Sequence, residues 1–220
     1  MKSLLALFAS LLFLSSSAHA YLIDFGSSEL PIACANNLAG DGKMLICAAG
    51  IAVNQSYGDV PGVVDVTYTD LNDPNRSLVF WDTNYNNLYG VAIASGTNAD
   101  SGARIDLVPA SGLQVNLASF RLGAYNRTTR GTNVAVLAIG NPTPLYADSG
   151  GVGTGSVDST LFDLGVSSAS GITIAWSDSA RDVGIDQISF TVTPVPEPNA
   201  AALAAVAVGS LVALARRRRA

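Results

Sequence analysis

One histidine, His19, occurs among 220 residues, and lysine and glutamate occur twice each, as Lys2, Lys43, Glu29 and Glu197. His19 stands in the leader described below, so the exported chain is expected to carry no imidazole. Without one, a Ser-His-Asp triad, a Cys-His dyad and a His-ligated zinc site are excluded. Acid–base chemistry would have to rest on aspartate. Charge is sparse, at 13% of residues. Residues 21–195 hold sixteen Asp plus Glu against seven Lys plus Arg, a net of −9. Such a body repels nucleic acid and anionic lipid. Helical periodicity is missing from the same stretch.

Cysteine is almost as scarce, with Cys34 and Cys47 alone. An even count in an exported chain favours a disulfide, with two buried thiols as the alternative. Closing that short loop is worth about 3 kcal/mol of chain entropy.

What is present begins at the two ends. "MKSLLALFASLLFLSSSAHA" places Lys2 before an apolar run, Leu4 to Leu14, and ends in Ala18-His19-Ala20. This order is that of a secretory signal peptide, residues 1–20, cleaved before Tyr21. At the other end, Val195-Pro196-Glu197-Pro198 precedes an apolar run from Ala200 to Ala215, and Arg216, Arg217, Arg218 and Arg219 follow. Sixteen helical residues span about 24 Å, slightly short of a hydrocarbon core of about 30 Å. The run is rich in alanine, so its insertion is only marginally favourable. The clustered arginines act as a stop and stay on the cytoplasmic side. Both ends therefore place residues 21–194 outside the cytoplasm, with a single C-terminal transmembrane helix.

The Val-Pro-Glu-Pro box, the short Ala/Leu/Val/Gly helix and the terminal arginine cluster resemble the PEP-CTERM sorting signal, here residues 195–220. The resemblance implies recognition by exosortase, a membrane-embedded processing enzyme, in bacteria that make exopolysaccharide. It implies a transient inner-membrane anchor with the body in the periplasm, and a final place at the cell surface or outside the cell.

Between the ends, short alternating runs are separated by turn residues. "GVVDVTYTD" puts Val64, Val66 and Tyr68 on one face, and "LASFRLGAY" does so with Phe120, Leu122 and Ala124. "NVAVLAIG" reads as a central strand, and "GITIAW" and "QISFTVT" close the domain. Asp73-Pro74-Asn75, Asn141-Pro142-Thr143-Pro144 and the glycine-rich stretch 148–156 read as turns. The pattern predicts an all-β fold, an antiparallel β-sandwich. A jelly roll is the first expectation and an Ig-like Greek key the alternative. "ASFRLGAY", "VAVLAIG", "SGITIAW" and "VGIDQISF" resemble a β-sandwich often carried by PEP-CTERM proteins, itself similar to galactose-binding-like jelly rolls. That resemblance implies a structural Ca²⁺ held in part by Asp186.

Asp186 shares parity with Ile188, Phe190 and Val192, so it points inward unless Gly184 or a bulge resets the register. A buried carboxylate needs a cation or hydrogen bonds. Asp24 meets it if the first and last strands pair, and two carboxylates with carbonyls suit Ca²⁺. The alternative is a carboxylate capping backbone N–H groups. "FWDTNYNNLYG" at 80–90 gathers Trp81, Tyr85 and Tyr89 with amide side chains. Flat rings and polar edges suit a glycan, while the same residues also suit a hairpin core.

Three functions follow in order. The first is a non-catalytic structural or adhesive surface protein associated with exopolysaccharide. The second is a carbohydrate-binding module. The third is an Asp-dependent glycoside hydrolase, which needs two carboxylates at a set separation. No catalytic residue is assigned. For the tail, Glu197→Ala is expected to leave an unprocessed, membrane-held protein. Serine at positions 216–219 is expected to release unprocessed protein. Size and membrane fractionation in a host with exosortase check this, and wild-type behaviour of both variants contradicts the sorting signal.

Overall fold

The alternation seen in the sequence becomes a core between two sheets. The computed structural model describes residues 19–26, 49–96, 101–153 and 157–195. These contain strands β1 (His19–Ile23), β2 (Val64–Asp70), β3 (Val79–Trp81), β4 (Val91–Ile93), β5 (Ala103–Pro109) and β6 (Leu113–Ala124). They continue with β7 (Arg130–Ala138), β8 (Pro144–Val152), β9 (Thr160–Ser168), β10 (Ile172–Ser177) and β11 (Val183–Pro194). All pairings are antiparallel. One sheet runs β3-β4-β11-β6-β9, with β1 also on β11, and the other runs β2-β5-β10-β7-β8. From β4 to β11 the strands follow the order of a jelly roll, two four-stranded layers of alternating origin. No helix long and apolar enough to cross a membrane occurs among the described residues.

Val64, Val66, Tyr68, Phe120, Leu122 and Ala124 are all buried, as the alternation predicts, and so are Val134 and Val136 of β7. So are Ile172, Ile174 and Trp176 of β10. Removing one such large side chain from water is worth about 1.5–3 kcal/mol. The rings interlock, with Phe120 stacked on Phe162 at 5.0 Å and Phe25 set edge-on to Tyr68 at 6.1 Å. Their polar atoms are served, since Trp176 Nε1 donates to Val183 O at 2.8 Å and the Tyr68 hydroxyl donates to Tyr57 O at 2.8 Å. A buried N–H or O–H left alone would cost about 1–3 kcal/mol.

Two sequence expectations change. The stretch 148–156 is not all turn, because β8 runs through Val152 and sets Gly150 and Gly151 opposite Thr132 and Gly131 of β7. Backbone pairing along a sheet edge outweighs glycine's preference for turns there. Parity also fails at Asp186. The register of β11 against β6 shifts between Asp186 and Ser189, and Gln187 takes φ 51°. This bulge lets Val183 and Ile185 face the core before it and Ile188, Phe190 and Val192 after it.

The first and last strands do pair, with Tyr21 opposite Phe190 and Ile23 opposite Ile188. The pairing starts at His19, so cleavage before Tyr21 leaves three residues of β1 in register with β11. Cys34, Cys47, Pro196, Glu197, Pro198 and Arg216 to Arg219 lie outside the described residues. Val195 lies within them, and its N–H donates to Gly112 O at 2.9 Å.

A buried carboxylate ties the end of β2 to the chain after β4. Asp70 is 1% exposed. Its Oδ2 accepts from Ser95 N at 2.8 Å, Ser95 Oγ at 2.5 Å and Gly96 N at 3.2 Å, and its Oδ1 accepts from Asn72 N at 2.9 Å. Burial opposes the charge, but the Ser95 hydroxyl and the backbone N–H groups outweigh it and hold the carboxyl below its ordinary value. "DLNDPN" is thus a turn closed by its own aspartates, with Asp73 paired to Arg76 at 3.1 Å. Asp70→Ala should destabilise the fold by about 2–4 kcal/mol at pH 7. A group with a depressed pKa contributes stability above its unfolded value and loses it as pH falls through the folded one. The gap between variant and wild type in urea midpoint should therefore narrow on acidification to about pH 3.

Candidate functional site

β3 ends at Trp81, β4 begins at Val91, and the chain between them folds over the outer face of its sheet. Asparagines make that path possible. Asn84 and Asn86 adopt left-handed φ values of 70° and 50°, a region asparagine tolerates. Asn86 is buried, where its Oδ1 accepts from Ala124 N at 2.5 Å and its Nδ2 donates to Thr128 O at 3.3 Å. Asn87 Oδ1 accepts from Ser159 N at 2.9 Å. Gly123 admits the loop, since a Cβ there would lie 2.7 Å from Tyr85 O. The side-chain amides of Asn86 and Asn87 therefore hold the loop in place.

The loop carries a satellite cluster of Tyr85, Leu88, Val91 and Ile93, against which Trp81 and Tyr125 pack. Beside it lies a cavity of about 110 Å³ lined by Trp81, Tyr85, Ile93, Tyr125, Arg181 and Asp182. The Tyr85 and Tyr125 rings sit 5.4 Å apart at 52°. The Tyr85 hydroxyl donates to Arg181 O at 2.7 Å. Burial, then the nearby Asp182, push its pKa above the ordinary value, so it remains a donor at any working pH. Arg181 Nη1 donates to Gly96 O at 2.7 Å and to Ser95 O at 3.3 Å. Asp182 pairs with Arg130 at 2.9 Å. Ionised Asp70 thus holds the 95–96 turn, the turn holds Arg181, and Arg181 O holds the Tyr85 ring.

Of the three aromatic residues that the sequence grouped, two come together. Trp81 is half-buried at the cavity and Tyr85 is 2% exposed in its wall. Tyr89 is 82% exposed and does not line the cavity. Tyr125, Arg181 and Asp182 were not found by sequence reasoning. Ninety-six residues separate Tyr85 from Arg181, and no local pattern links them.

The second predicted pair lies where β11 changes partner, from β4 at Ile185 to β1 at Ile188. Asp186 is 1% exposed, and its Oδ1 accepts from Phe25 N at 2.8 Å. Asp24 Oδ1 accepts from Gly26 N at 2.8 Å. Both carboxylates therefore cap backbone N–H groups at the end of β1. Burial pushes the Asp186 pKa up to about 7, against hydrogen bonds from Phe25 and Gln187, and Asp24 adds to the rise. A buried carboxylate with a second carboxylate nearby is an arrangement that a divalent cation would relieve. Among the described residues no group of three or more His, Cys, Asp or Glu gathers to hold a metal, so backbone carbonyls would have to complete any such shell.

No protein-family model and no curated protein matches the chain. Among solved structures, one similar chain is a Podospora anserina GH26-CBM35 beta-(1,4)-mannanase, at 17% identity and TM-score 0.33. That match covers 62% of this chain and 29% of the mannanase. Another, described as "CBM4 structure and function", has 13% identity and TM-score 0.29, covering 60% of this chain and 87% of that one. Neither likeness places this chain in a family.

The Asp186 geometry sets a pH response. A carboxyl whose folded pKa exceeds its unfolded value of about 3.9 adds stability below that value and loses it as pH rises through about 7. In chelator, the wild-type melting temperature should carry a decline between about pH 4 and pH 7 that Asp186→Asn lacks. Parallel curves for the two proteins would contradict it.

Proposed function

We propose that the sandwich is a non-catalytic carbohydrate-binding domain of an exported, surface-associated protein. The observation that carries this reading is the cavity where Trp81, Tyr85 and Tyr125 meet Arg181 and Asp182. Aromatic faces accept the C–H face of a sugar, and charged edges accept and donate to its hydroxyls. Fixed partners keep the walls in place before the ligand arrives, which lowers the ordering cost of binding. At about 110 Å³, the cavity is far smaller than the roughly 300–1,000 Å³ that encloses a drug-sized ligand. It suits one end of a glycan. Asp182, the carboxylate in its wall, is ion-paired to Arg130, an arrangement that suits binding better than proton transfer.

The tail completes the proposal. In this reading residues 195–220 hold the protein briefly in the inner membrane for exosortase, and the released body associates with exopolysaccharide. Ca²⁺ is proposed as a structural ion at Asp24 and Asp186, with carbonyls supplying the remaining oxygens.

A glycan array with the full-length exported protein tests the binding reading. Trp81→Ala and Asp182→Asn should each weaken the retained glycan by about ten-fold or more, and Tyr89→Ala should leave it unchanged. Failure of every glycan to bind, or wild-type binding by both cavity variants, would contradict the proposal. For the ion, the melting temperature should rise with Ca²⁺ at pH 8 and Asp186→Asn should not respond.

A further inference from the structure

The outer face of the second sheet carries a larger depression that the aromatic cavity does not explain. It is a groove of about 510 Å³ lined by residues 133–135 of β7, 147–149 of β8, 175–177 of β10 and Leu71. The register aligns it in two straight rows. Ser177 lies opposite Asn133, and Asn133 opposite Ser149. Ala175 lies opposite Ala135, and Ala135 opposite Ala147. Adjacent strands are about 4.8 Å apart, so each row crosses about 10 Å at right angles to the strands. One row is hydroxyl–amide–hydroxyl and the other has only methyl groups. Three consecutive residues of each strand line the groove because these side chains are too short to cover the backbone between them. Asn133 Nδ2 donates to Asp178 Oδ2, which orients its amide.

We infer that this groove binds an internal stretch of an uncharged polysaccharide, lying across β10, β7 and β8. A sugar chain has what the two rows require: a repeat close to the strand spacing, hydroxyls along one edge and C–H groups along the face. The sole charged residue in the lining is Asp148, within a body of net −9 over residues 21–195. Acidic polymers are repelled by that charge. A second copy of this chain, of the same net charge, is disfavoured for the same reason. The inference does not depend on the aromatic cavity, which lies against the other sheet.

Affinity gel electrophoresis of the full-length exported protein tests it, with hydroxyethylcellulose, dextran, xylan and galactomannan as uncharged probes and alginate as the acidic one. At least one uncharged polymer should retard the wild type, and alginate should not. Ala147→Tyr fills the methyl row from an exposed edge-strand position, and Asn133→Ala removes the central amide. Each should weaken retardation by roughly ten-fold, while Trp81→Ala should retain it. Equal retardation of wild type and Ala147→Tyr overturns the inference, as does retardation by no uncharged polymer. Loss in Trp81→Ala alone overturns it while leaving the aromatic-cavity reading intact. A wild-type dimer on sizing that Ala147→Tyr makes monomeric assigns the face to a second copy, which also overturns it.

Discussion

The ladder between β6 and β11 is the constraint on which the other contacts depend. It joins residues 113–124 to residues 183–194, from Val183 opposite Ala124 to Pro194 opposite Leu113. One edge of β11 then receives β4 and β1 in succession, and the far edge of β6 receives β9. Strands so distant in sequence pay a loop-closure cost before any contact rewards them. The reward is collective, since Phe120, Leu122, Ile185, Ile188 and Phe190 enter the core together. The bulge beside Asp186 is part of the same ladder. Without its extra residue, the apolar residues on one side of it would face solvent.

Two buried aspartates show how environment decides the behaviour of one side chain. Asp70 and Asp186 are each 1% exposed. The Ser95 hydroxyl and several N–H groups surround Asp70, so the charged form is favoured. Around Asp186 burial outweighs the fewer donors, and the charge of Asp24 adds to the rise, so its pKa is pushed up to about 7. The first therefore works as a fixed anion that organises the turn beneath Arg181. The second responds to pH near neutrality, and a cation at that place would compete with protons for the same carboxylate.

The two depressions differ in chemistry because they differ in origin. The aromatic cavity forms where a loop, a strand end and the turn between β10 and β11 converge, so large side chains from separate segments face one another. The groove forms on a regular sheet face, so its character follows from which short side chains the pleat presents outward. Neighbouring strands bring like residues into line there, alanine with alanine and hydroxyl with amide. Both lie on an acidic body, with a net charge of −9 over residues 21–195.

The sequence by itself determined the all-β class and most of the core. Alternation has period two only in strands, so Val64, Val66, Tyr68, Phe120, Leu122 and Ala124 could be placed on one face without knowing their neighbours. It also determined that the first and last strands would bring Asp24 and Asp186 near each other, if they paired. It did not determine the side of the sheet on which Asp186 sits, because a bulge is one unpaired residue and leaves no periodic signal. Nor did it determine the cavity. Trp81 and Tyr85 looked like part of one platform with Tyr89, but left-handed Asn84 and Asn86 turn the loop so that Tyr85 is buried and Tyr89 is exposed. Tyr125, Arg181 and Asp182 reach the same place only because β11 pairs with β6, a contact across some seventy residues. Local propensity reports one strand at a time; which strands become neighbours is decided by the shared burial of all of them.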